Sequence, residues 1–191
     1  MKRLSIALIL SVVAASPAFA HLNPAEHGSF AAGLSHPLFG ADHILAMLGV
    51  GLWAFLVGGR AVWAIPTAFV ATMMLGFAAA LAGIGLPFVE PVIAASVVVL
   101  GLLALVALQV PTPVGMAVVG FFALFHGYAH GGEIGSATSL PFMVGFALAT
   151  ALLHAAGIGF AGNTLSHRGR IAARIAGGLT ALAGLWLVAG V

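Results

Sequence analysis

The polarity pattern of the chain consists of long apolar stretches separated by short breaks rich in glycine, proline or polar residues. Each stretch has about twenty residues and is apolar on all sides, which is typical of a helix surrounded by lipid. Lipid offers no partner to backbone N–H and C=O groups, so such segments must be helical. The pattern predicts an all-α bundle with six spans, at residues 38–58, 61–83, 88–109, 114–133, 140–161 and 171–190.

The first twenty residues have the pattern of a secretory signal peptide. Lys2 and Arg3 form a positive end, the apolar run 4–15 is too short to cross a bilayer comfortably, and residues 18–20 (Ala-Phe-Ala) have the form of a cleavage site. An uncleaved first helix is the alternative. With cleavage, the predicted organisation is a signal peptide at 1–20, a periplasmic tail at 21–35 and a transmembrane domain at 36–191.

The composition is that of a membrane protein, and it excludes some kinds of covalent link and metal site. Of the 191 residues 62% are hydrophobic and 5% are charged, whereas soluble domains have about 25% charged residues. The absence of cysteine excludes disulfides and thiolate metal sites. Without Lys2 and Arg3 the chain keeps four of its six basic residues against four acids, and this balance gives no support to nucleic-acid binding.

The charged loop residues predict the orientation in the membrane. Arginines cluster in the loops after the first and fifth spans, at Arg60, Arg168, Arg170 and Arg174. Three acids fall on the opposite side, at Glu26, Glu90 and Glu133. The positive-inside rule places the Arg60 and Arg168 loops in the cytoplasm and the mature N-terminus in the periplasm. Together with the signal peptide, this predicts a bacterial inner-membrane protein.

Ionisable residues inside the spans point to the candidate chemistry. A charged group at the bilayer centre costs roughly 2.5–3.5 kcal/mol on insertion scales, so it needs a partner, water or a function. In the fourth span His126, His130 and Glu133 stand at i, i+4 and i+7, on one helix face. Two imidazoles four residues apart can ligate one metal ion. The alternative is a pair of interhelical hydrogen bonds with Glu133 in water.

The first span carries a second set of metal-ligating residue types, His36, Asp42 and His43, with Met47 one turn deeper. Seven helical residues rise about 10 Å, so the two sets cover similar depths of the outer leaflet. Ordinary packing is the alternative for Met47, and a helix-dipole partner is the alternative for Asp42. The predicted metal ligands are His36, Asp42, His43, His126, His130 and Glu133, with weaker candidates at Met47, His154, His21 and His27.

The segment His36-Pro37-Leu38-Phe39-Gly40-Ala41-Asp42-His43, with Met47, Gly49-Val50-Gly51 and Trp53-Ala54 behind it, resembles the signature of the HupE/UreJ family. Phe125–Gly131 and Ala151–His154 resemble later motifs of the same family. The likeness covers nearly the whole chain. It implies a nickel or cobalt permease associated with hydrogenase and urease maturation, with metallochaperones of those pathways as partners. It also implies that His36, Asp42 and His43 form one metal-handling motif, and that His126 and His130 belong to a second.

The ligand types favour Ni²⁺, Co²⁺ or Zn²⁺ over Cu⁺, Mg²⁺ or Ca²⁺. The sequence has no phosphate-binding loop, so we expect a secondary transporter that uses the membrane potential, has no enzymatic activity and holds no permanent cofactor. One alternative is an intramembrane zinc hydrolase that uses the same cluster. The other is a b-type cytochrome with histidine axial ligands, which the carboxylates beside the histidines argue against.

Overall fold

The computed structural model describes residues 28–162 and 167–189, and every regular element in this part of the chain is helical. The predicted signal peptide at 1–20 and the tail histidines His21 and His27 lie outside the described residues. The elements are α1 (Ser29–Ser35), a 3₁₀ turn (His36–Leu38), α2 (Ala41–Val57), α3 (Ala61–Leu81), α4 (Val89–Val106), α5 (Thr112–Gly132), α6 (Ser139–Gly162) and α7 (His167–Ala189).

Five of these helices, α3 to α7, are long and apolar enough to cross a membrane. The first predicted span is instead a bent pair, in which Ser29–Leu38 and Ala41–Val57 meet at 78°. The bend follows from the local sequence, because Pro37 has no N–H for a helical hydrogen bond and Gly40 has extended backbone angles. The described residues therefore contain five candidate spans, or the predicted six when the bent pair is counted as one span, and the chain is an integral membrane protein.

Helix α1 lies within residues 21–35, which the sequence pattern assigned to a tail, and it packs against α6. The two helices approach closely at Gly33 and Gly145. A Cβ on Gly33 would fall on the Phe142 carbonyl, and a Cβ on Gly145 would fall on the Phe30 carbonyl. The sequence pattern therefore did not predict the helix at Ser29–Ser35. The periplasmic location of residues 21–35 stays a prediction.

Helix α2 lies at the centre of the bundle and packs against α3, α4, α6 and α7. Around it, α3 packs along α5, and α4 packs along α7. The α3–α5 pair is backbone to backbone, because Gly127 faces the carbonyl of Met73 and Gly76 faces the carbonyl of Leu124. This tight pairing fixes the helix that carries the second histidine motif.

The outward surfaces of the peripheral helices are strongly apolar, as Leu75, Leu179 and Trp186 illustrate. Lipid is the solvent that suits such a surface. The polar side chains that are buried in the described residues are few, and most are histidines: His36, His43, Ser96, His126, Thr150, His154 and Thr180. The fold therefore gathers its polar chemistry inside the bundle.

Candidate metal centre

Three helical elements bring the predicted ligands together. His36 lies on the 3₁₀ turn, His43 in the first turns of α2, and His126 and His130 on one face of α5. Glu133 follows the last residue of α5. Five of the six predicted ligands therefore belong to one connected cluster at the end of the bundle where α5 ends.

His36, His130 and Glu133 form what we term the outer group. His36 Nε2 lies 2.8 Å from His130 Nδ1 and 3.2 Å from Glu133 Oε2, and His130 Nδ1 lies 3.0 Å from the same carboxylate oxygen. One ligand atom from each residue lies within 4.8 Å of the other two. The Glu133 side chain is 52% exposed, so this group opens to solvent at the bundle end. Two nitrogens and one oxygen at this spacing can hold a divalent ion.

The Glu133 carboxylate is electrostatically prepared for a cation. Hydrogen bonds from the side chains of His130 and His36 lower the pKa of Glu133 well below its usual value, against the opposing effect of partial burial. The carboxylate is therefore ionised at neutral pH and supplies a hard oxygen ligand with a negative charge.

His43, His126 and His130 form what we term the inner group. His43 Nδ1 lies 3.1 Å from His130 Nε2 and 3.3 Å from His126 Nδ1. His43 and His126 are fully enclosed. A ring nitrogen carries either one proton or one lone pair in the ring plane, so His43 Nδ1 cannot make a full hydrogen bond with both neighbours. His43 Nδ1 therefore links His130 to His126, whereas among the described residues three ligand atoms within 4.8 Å of one another are found only in the outer group.

Two hydroxyl groups determine which nitrogens of the inner group carry protons. Ser96 Oγ donates to the Ile93 carbonyl at 2.6 Å and lies 2.9 Å from His126 Nε2, so it accepts the Nε2–H proton. Thr150 Oγ1 donates to Met73 Sδ at 3.6 Å and in the same way accepts from His43 Nε2 at 3.4 Å. Both Nδ1 atoms are then unprotonated, and they face each other with lone pairs that can ligate a metal.

An aromatic side chain closes one side of the cluster. The ring centroid of Phe146 lies 4.8 Å from that of His130 and 5.1 Å from that of His43, and Phe142 lies 5.4 Å from His36. These rings cover one side of the imidazoles with apolar surface, which strengthens electrostatic interactions on that side of the site. Phe142, Phe146, Ser96 and Thr150 were not predicted as site residues. For Ser96 the sequence did contain one signal, because it is the one serine within the apolar run of α4.

The structure places Asp42, Met47 and His154 away from these contacts. Asp42 Oδ1 accepts the backbone N–H of His43 at 2.7 Å, and Asp42 lines a separate cavity of about 580 Å³ together with Glu90. Met47 is fully buried in the apolar core. His154 lies deeper in the bundle, beside Phe69. Asp42 is therefore positioned to hold the first turn of α2, which carries His43.

Ser96→Ala tests the role assigned to the serine hydroxyl. We expect a drop of roughly 10- to 100-fold in metal affinity or uptake rate, since partners that orient ligating histidines have effects of this size. Radiolabelled Co²⁺ uptake over a range of concentrations measures it. Thr180→Val removes a buried hydroxyl from α7 and is the matched control. Unchanged uptake in Ser96→Ala would rule out the orienting role.

Comparison with known proteins agrees with the sequence motifs. Residues 8–187 match the model of the family described as HupE / UreJ protein. The chain is 45% identical to Protein HupE of Rhizobium leguminosarum bv. viciae over 192 aligned residues, which cover the whole of both chains. No solved structure matches the chain. The resemblance found in the sequence is thereby confirmed, and the chain belongs to the HupE/UreJ family.

Proposed function

We propose that this protein is a secondary transporter that carries Ni²⁺ or Co²⁺ from the periplasm to the cytoplasm. Its site is formed by the outer and inner groups, which join the 3₁₀ turn, α2 and α5. Membership of the HupE/UreJ family supports transport over the hydrolase and cytochrome alternatives. The transported ion is a substrate, and the mechanism needs no permanent cofactor.

One observation carries the proposal, namely the 3.3 Å approach of the Nδ1 atoms of His43 and His126, which we assign as unprotonated from the hydroxyl contacts of the two rings. Two lone pairs at that distance repel each other unless a proton or a metal cation lies between them, and a metal cation can accept both. In an apolar membrane interior this arrangement is costly without a function. The hydroxyls of Ser96 and Thr150 hold both rings in the ligating form.

The two groups suggest successive steps of capture and dehydration. A hydrated cation first meets the ionised Glu133 at the exposed end, where His36 and His130 replace part of its water. It then passes His130 to the enclosed nitrogens of His43 and His126. An inside-negative membrane potential favours inward movement by about 2.3 kcal/mol per elementary charge per 100 mV, and a divalent ion gains twice that amount.

The test is uptake of radiolabelled Ni²⁺ and Co²⁺ by metal-starved cells that express the wild type, His43→Ala or no transporter. We expect wild-type uptake of at least one metal above background, and a loss of roughly a hundredfold in His43→Ala, the upper end of the range for an orienting partner, because this variant loses a ligand itself. Immunoblots of membranes check equal abundance. Wild-type uptake at background for both metals would refute the proposal.

A further inference from the structure

His154 is a fully buried histidine whose ring nitrogens have no hydrogen-bond partner among the described residues. A buried polar group without a partner is unfavourable by about 1–3 kcal/mol, so such a group in a folded protein calls for a ligand or a water. His154 lies on α6, eight residues before its end at Gly162, which corresponds to about 12 Å of helix. It is thus separated from the exposed Glu133 and nearer the opposite end of the bundle.

One aromatic ring separates His154 from the inner group. The ring centroid of Phe69 lies 5.9 Å from that of His126 and 5.1 Å from that of His154. Phe69 is fully buried and contacts both imidazoles, so it is the side chain that connects the inner group to His154.

Ligand atoms also line this step. Phe69 and Met73 are four residues apart on α3, and Thr150 and His154 are four residues apart on α6, so each pair shares a helix face. Thr150 Oγ1 contacts both His43 Nε2 and Met73 Sδ. A hydroxyl oxygen and a thioether sulfur therefore accompany the route from His43 towards His154, and both can assist a partly dehydrated transition-metal ion.

His154 also borders a groove of about 560 Å³ between α3 and α6, which extends on one side towards the end of the bundle that carries Arg60. The groove is lined mostly by apolar side chains, from residues 62–74 of α3 and 151–158 of α6. Pro66 in this wall has no N–H to bond the Val62 carbonyl, and Thr67 adds a hydroxyl. Among the mostly apolar residues of the groove, His154 and Thr67 are the ones with polar side-chain groups that suit an ion or water.

We propose that His154 is a second binding station for the divalent transition-metal ion, reached from the inner group past Phe69 and opening into the groove of α3 and α6. The imidazole supplies the protein ligand, and water supplies the rest of the coordination shell. This proposal rests on the proposed function and extends it by a defined exit step. Loss of His154 then slows the passage of the ion without changing its capture.

The experiment uses the full-length protein in proteoliposomes with an inside-negative potential and external Co²⁺. His154→Leu replaces the ligand with an apolar side chain of similar size and breaks no hydrogen bond among the described residues. We expect its maximal uptake rate to fall at least tenfold while half-saturation stays within twofold of the wild type. His154→Cys restores a metal ligand, and we expect it to recover at least a third of the wild-type rate.

Because the chain has no native cysteine, His154→Cys carries a unique thiol. We expect a methanethiosulfonate reagent to block its transport, and Co²⁺ to slow the reaction. Thr180→Cys places a thiol at another buried position, in a separate groove of α7, and Co²⁺ should leave its labelling unchanged. Should His154→Leu fail to fold, the protection of the thiol in His154→Cys by Co²⁺ decides the question alone.

Wild-type transport rates in His154→Leu would overturn the proposal, and so would a thiol at position 154 that Co²⁺ does not protect. Both results leave the proposed function intact, since the wild type still transports. A wild type that moves no Co²⁺ or Ni²⁺ refutes the proposed function instead. In that event protection of the thiol in His154→Cys still reports whether the ion reaches position 154.

Discussion

Replacing His130 with alanine is expected to remove metal uptake almost entirely, by roughly a hundredfold or more, since both groups lose a ligand together. His130 Nδ1 contacts Glu133 and His36 in the outer group, and His130 Nε2 contacts His43 in the inner group. Each of the other four ligands belongs to only one of the two groups. Equilibrium binding of Co²⁺ to the purified protein and uptake in cells measure both effects.

Tyr128→Phe is the matched control on the same helix. The Tyr128 hydroxyl accepts the backbone N–H of Leu86 and takes no part in the outer or inner group. We expect its uptake to stay within about twofold of the wild type, because a single hydrogen bond of this kind contributes about 1 kcal/mol to stability and nothing to ligation. Substantial uptake by His130→Ala, at equal abundance in the membrane, would contradict the shared role.

Gly127→Ala is expected to prevent accumulation of the folded protein, although it adds only one methyl group. The new Cβ would fall on the backbone carbonyl of Met73, and a backbone atom cannot move aside as a flexible side chain can. Overpacking of a tight core costs about 1–3 kcal/mol and sometimes more, and here it would separate α3 from α5 along their whole contact. Thermal unfolding in detergent and membrane abundance are the measurements.

Gly132→Ala is the control for this substitution, because it lies on the same helix and a Cβ there would meet nothing within 4 Å. Alanine is also the better helix former, so we expect Gly132→Ala to be as stable as the wild type or more so. A Gly127→Ala protein with wild-type thermal stability would show that α3 and α5 tolerate a wider separation than the structure has.

The spans were predictable because a lipid-facing helix is marked by composition alone, over twenty residues or so. The bend before α2 and the short helix α1 were harder to predict. Helix α1 is stabilised by its packing on α6 through Gly33 and Gly145, a contact between residues more than a hundred positions apart. Hydropathy along the chain carries no information about such a contact.

The residues of the candidate site were likewise predictable only in part. Helical spacing predicts that His126, His130 and Glu133 share a face, and the structure places all three in the cluster. Asp42 and His43 are adjacent in sequence, and neighbouring helical residues do not face the same way. His43 therefore points to α5, while Asp42 lines another cavity with Glu90. Ser96 could not be assigned from its own span, because only tertiary packing brings it to His126.

The sharing of His130 between the two groups sets a limit on stoichiometry. A neutral imidazole has one lone pair, so its two nitrogens cannot both ligate an ion at once. When the outer group holds a cation through His130 Nδ1, the proton of His130 lies on Nε2 and faces His43. When the inner group holds a cation through His130 Nε2, the proton lies on Nδ1 and faces Glu133. Each advance of an ion thus requires the ring to exchange its tautomer or to flip. His130 therefore ligates one ion at a time, and an ion that it holds in one group deprives the other group of this ligand.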